Sequence, residues 1–202
     1  MTIRPFVRQF VFSTISALVL VGALPSFARA QADHHGNGPA TQQAQSPDQK
    51  AKAGALINAV REWTERFKDP AAAVAEHYGL LFGCVSGSDY GAMGLHYVNF
   101  PLVIDGKLDV TTPEIILYEP LPSGKLRITG ADYLVLADAW DSQHAEPPQM
   151  MGQLFHRFES PNRFGLPAFY TLHVWAWKEN PAGAFTNWNP NVSCDAFVDQ
   201  ND

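Results

Sequence analysis

Three histidines, His96, His156 and His173, stand inside β-branched and aromatic runs. Imidazole is the side chain best suited to bind a transition metal or to move protons near neutral pH. Side chains alternate along a strand, so His96 shares a face with Gly94 and Val98, His156 with Leu154 and Phe158, and His173 with Trp175 and Trp177. A curved sheet could bring those faces together. Glu119, at the end of Ile115-Ile116-Leu117-Tyr118-Glu119, offers a carboxylate to complete the set. Three imidazoles and one carboxylate suit a single zinc, copper, iron or manganese ion. None of the histidines forms an H-x-H pair, so two readings stay open: a metal centre, or a metal-free polar pocket built from structural histidines.

The C-terminal third is rich in aromatics, among them Phe155, Phe158, Phe164, Phe169, Trp175 and Trp177. Trp175 and Trp177, two apart in an expected strand, are predicted to share a face. They would either stack a small flat ligand or fill the core between sheet and helices. Signatures of other chemistries are missing: there is no G-x-S-x-G elbow, H-E-x-x-H zinc motif, phosphate-binding Walker loop or G-x-G-x-x-G turn. The reaction, if there is one, is therefore not announced by a local motif.

The elements that must position these residues are readable from pattern. Ser46-Pro47-Asp48-Gln49 is a helix start, with Ser46 as cap, Pro47 at the first helical position and Gln49 three residues after the cap. Ala53, Leu56, Ile57, Val60, Trp63 and Phe67 then recur on one helical stripe. Asp69-Pro70 starts a second, short helix that Gly79 ends. Strands are expected at 81–86, 93–98, 114–119, 125–129, 133–136, 153–158 and 169–177, with Pro122-Ser123-Gly124 turning a hairpin. Two N-terminal helices before six or seven strands predict an α+β fold. The helices would pack on a curved, mostly antiparallel sheet or a small open barrel.

Three divisions of the chain follow. Residues 1–30 read as a secretory signal: Arg4 and Arg8, an apolar run from Val11 to Leu24, and the small-x-small cleavage pattern Ala28-Arg29-Ala30. Residues 31–46 are small and polar, the composition of a linker, and residues 47–202 form the single globular domain. Cleavage near Ala30 removes three arginines and no acid, moving the net charge from −6 to −9. That balance argues against nucleic acid as a partner, and no membrane span is expected once the signal is gone. The only two cysteines, Cys84 and Cys194, lie near opposite ends of the domain without a C-x-x-C motif. In the periplasm or outside the cell, such a pair is expected to form a disulfide.

The segments Gly94-Leu95-His96-Tyr97-Val98-Asn99, Leu117-Tyr118-Glu119-Pro120, Leu172-His173-Val174-Trp175-Ala176-Trp177-Lys178 and Trp188-Asn189-Pro190-Asn191-Val192-Ser193-Cys194 resemble a group of uncharacterised exported bacterial proteins over roughly Gly83 to Cys194. The resemblance implies a bacterial, exported protein and carries no activity or catalytic residue with it.

Overall fold

A capping box begins the first helix in the computed structural model, which describes residues 45–198. The Gln49 backbone N–H donates to Ser46 Oγ and the Ser46 N–H donates to Gln49 Oε1, starting helix α1 (Pro47–Thr64). A 3-10 turn (Glu65–Lys68) and a short helix α2 (Pro70–Ala75), capped by Asp69, follow. The expected signal peptide, residues 1–30, and nearly all of the expected linker lie outside the described residues. Among the described residues, no helix is long and apolar enough to cross a membrane.

The rest of the fold is a curled antiparallel sheet with short helices in its connections. Its strands are β1 (Gly79–Gly87), β2 (Gly91–Val98), β3 (Ile115–Pro120), β4 (Leu126–Leu136), β7 (His156–Phe158) and β8 (Phe169–Val174), in the order β1-β2-β3-β4-β8-β7. Helix α3 (Phe100–Ile104) follows β2 and helix α4 (Ala137–Asp141) follows β4. A separate two-stranded ribbon pairs β5 (Gln149–Met150) with β6 (Gln153–Leu154). The fold class is α+β with a curved sheet, as the alternation of the strand sequences implied.

The sheet is strongly curled. His96 on β2 and His173 on β8 are separated in the sheet by β3 and β4. In a flat sheet that is three strand spacings, about 14 Å. Their ring centroids are 5.8 Å apart. The sheet must therefore bend into a half-barrel whose concave face gathers the side chains of β2, β4 and β8. The opposite face is covered by α1: Leu56 and Val60, both fully buried, pack with Ala131, Tyr133, Val135, Leu172 and Val174. Burying each of those two helix side chains contributes about 1.5–3 kcal/mol. Phe67 and Ala73 extend this layer onto Leu95, Ile116 and Tyr118.

Strand β4 differs from the expected pattern. Thr129-Gly130-Ala131-Asp132 reads as a break between two strands, yet β4 runs without interruption through it. Gly130 serves close approach instead of a turn: a Cβ there would meet Val174 O at 2.1 Å. Strand β8 ends early, at Val174, because Trp177 N–H turns to Thr129 O and Ala176 N–H to Val174 O. Cys84 and Cys194 form the expected disulfide, with Cα atoms 5.7 Å apart. It ties the C-terminal segment to β1.

Candidate metal centre

His96, Asp132 and His173 converge on the concave face, where one donor atom from each lies within 4.8 Å of the others. Register explains the first pair: Asp132 on β4 stands directly opposite His173 on β8. Curl explains the third member, since His96 reaches Asp132 from two strands away and His173 from three. All three are buried, at 2–3 % exposure. Together they form a group that could hold a metal ion.

Each side chain is oriented by a neighbour. His96 Nδ1 lies 3.2 Å from Gly94 O, and since a carbonyl can only accept, the ring must donate from Nδ1. Nε2 is left with its lone pair. The Thr171 hydroxyl donates to Asp132 Oδ1, fixing the carboxyl group. Such outer partners are what orients ligands in protein metal sites. His173 differs: Nδ1 comes within 3.4 Å of Asp132 Oδ1, but misdirected for a hydrogen bond, and neither ring nitrogen has a protein partner. A buried imidazole with two unmatched nitrogens is a costly arrangement that calls for an explanation.

Protonation suits metal ligation. Burial lowers the pKa of His173 to about 3 and that of His96 to about 4, so both rings are neutral at physiological pH. Burial pushes Asp132 up to about 6, opposed first by the Thr171 hydroxyl bond. Two neutral imidazoles and one carboxylate are the forms that a metal requires.

The recess above the triad encloses about 320 Å³ including its mouth, though its free interior is only of water size. Its walls are apolar: Phe82, Phe158, Phe164 and Phe169 stand around it with Leu134 and Leu166. Phe158 stacks on Phe169 at 5.1 Å, and Phe82 meets Phe164 edge-on at 5.3 Å.

The other expected site residues are placed elsewhere. Glu119 lies four residues beyond Ile115, the partner of Asp132, about 13 Å along the strand. Its carboxylate is saturated by Lys178 Nζ (2.7 and 2.6 Å), by Arg127 and by the Ser193 N–H, which lowers its pKa against the opposing effect of burial. It anchors the C-terminal segment beside the disulfide. His156 pairs with Thr171 and so faces the same side as the triad, but on the edge strand, exposed and outside the group. Trp175 and Trp177 do not share a face, because the strand has already ended. Trp175 is buried with Ala92 and Val192 and donates to Thr186 O. Trp177 packs in the helix-side layer, donates to Thr64 Oγ1 and carries Lys68 Nζ over its ring at 4.0 Å. Asp132 is the site residue that sequence reasoning missed. Continuing the β4 alternation through Gly130 would have placed it on the face of Leu134.

No family model, curated protein or solved structure matches the chain.

Proposed function

We propose that this is an exported bacterial metal-binding protein, periplasmic or secreted, whose His96, Asp132 and His173 hold one divalent transition-metal ion. The observation that carries this reading is His173. Both of its nitrogens are buried without a partner, next to His96 and an oriented carboxylate. A metal ion bound to one of these nitrogens removes the penalty of leaving that lone pair unmatched. Two imidazoles and one carboxylate are the donor set of mononuclear zinc and iron(II) sites that keep positions open, which favours those ions over copper or manganese. A bound ion would act there as a Lewis acid on whatever small molecule shares its coordination.

Export is supported by the N-terminal signal pattern and by the Cys84–Cys194 disulfide, which persists in an oxidising compartment. The competing idea of an aromatic docking face built on Trp175 and Trp177 loses its support, since the two rings lie in separate clusters.

Metal content after equilibrium dialysis tests the proposal. Wild type should bind about one zinc or iron(II) per chain by the ligand count of such sites, and His173→Ala and Asp132→Asn should lose it while keeping their circular dichroism. Absence of metal from folded wild type, or equal binding by both variants, would overturn it.

A further inference from the structure

Among the His, Cys, Asp and Glu side chains of the described residues, His96, Asp132 and His173 offer three donors in mutual reach. A zinc ion in such a site keeps at least one position for an outside ligand, and iron(II) keeps more. The geometry points to a small uncharged molecule, of the size of a diatomic gas, as the ligand that this position accepts, with polyatomic anions refused. This inference rests on the metal reading above.

Three features of the recess argue for it. First, apart from the N–H that a neutral His173 ring carries, the donor hydrogens at its base are already committed. The Thr171 hydroxyl is given to Asp132, and the His96 Nδ1–H to Gly94 O. Apart from the triad and Thr171, the lining side chains are apolar. A phosphate or carboxylate entering here would shed its hydration shell and find at most the single N–H of His173 to replace it. The nearby cation does not help: the exposed Arg163 lies over the Phe164 and Trp188 rings, donates to Ser86 O and is absent from the lining.

Second, the free interior is of water size, so a ligand larger than two or three heavy atoms has no room without side-chain movement. Third, the mouth is fixed by rings that the fold takes trouble to place. Phe82 sits at the irregularity of β1 between Leu81 and Cys84, with φ +69°, a region that bulky residues avoid. Backbone held there is over-determined by its surroundings, and what it achieves is to set the Phe82 ring against Phe164 over the site. The disulfide at Cys84 anchors the same bulge.

The test uses the mature, disulfide-bonded protein loaded with iron(II) under anaerobic conditions and titrated with nitric oxide. The readout is the paramagnetic resonance signal of the iron–nitrosyl adduct. Wild type should give one adduct per bound iron, unaffected by a large excess of inorganic phosphate. It should not bind tert-butyl isocyanide, a bulky neutral ligand, whereas Phe164→Ala should; Phe82→Ala is a second variant should the first fail to fold. Bound iron with no nitrosyl signal, suppression of the signal by phosphate, or isocyanide binding equal in wild type and both variants would overturn this inference and leave the metal reading standing. Failure to load any iron or zinc would overturn both.

Discussion

In the metal-free protein the His173 imidazole destabilises the fold it occupies. Each buried polar group without a partner costs about 1–3 kcal/mol, and His173 has two such nitrogens. Replacing it with leucine removes both and leaves a side chain that the neighbouring Leu134, Phe169 and Met93 can pack against. A swap of similar volume in a core typically costs less than about 1.5 kcal/mol. The net expectation is that metal-free His173→Leu is about 2–3 kcal/mol more stable than metal-free wild type. Metal reverses the order. An ion present at about 1,000 times its Kd stabilises wild type by about 4 kcal/mol, and the variant, lacking a ligand, gains nothing. The assay is urea unfolding with chelator and again with saturating zinc. The stability curves of the two proteins should cross between those conditions. If metal-free His173→Leu is less stable than wild type, the unpartnered nitrogens are not the burden argued here. If zinc stabilises both proteins equally, it binds elsewhere.

Two further outcomes follow from groups outside the site. Glu114 is 2 % exposed and its Oε2 accepts the Leu134 N–H; burial, with smaller contributions from Asp132 and Asp105, raises its pKa to about 9. The folded chain therefore holds a proton that the unfolded chain has released, so stability is full below the unfolded value of 4.5 and declines as pH rises towards 9. Glu114→Gln keeps the acceptor and removes that decline: it should match wild type near pH 4.5 and exceed it by about 1–3 kcal/mol at pH 7 in thermal or urea unfolding, whereas a constant difference at both pH values would contradict the assignment. Cys84→Ala opens a covalent loop spanning 110 residues, for which chain entropy predicts a loss of about 4–5 kcal/mol under oxidising conditions; wild type that is equally stable with and without reductant would refute it.

How much of the site was legible depends on the range of the interaction involved. The helix start at Ser46-Pro47-Asp48-Gln49 is a contact between residues three apart, and the capping box is there. The strands carrying His96 and His173 announce themselves by their own β-branched and aromatic residues, and both histidines are in the cluster. Asp132 was hidden because Gly130 looks like punctuation in one dimension. Its reason lies in the neighbouring strand, where Val174 O leaves no space for a Cβ. Glu119 was misplaced for a similar reason. A carboxylate ending a strand has no visible partner until Lys178 and Ser193, 59 and 74 residues later, fold against it.

The amino-acid sequence by itself determined the α+β class, the cysteine pair and two of the three donors in the cluster. Each of these depends on composition or on side-chain alternation among near neighbours. Which carboxylate joins the histidines, and whether Trp175 and Trp177 face together, was decided only by tertiary structure. Those outcomes depend on strand register and sheet curl, and a sheet that bends three strand spacings into a 5.8 Å contact does so through the packing of both its faces at once.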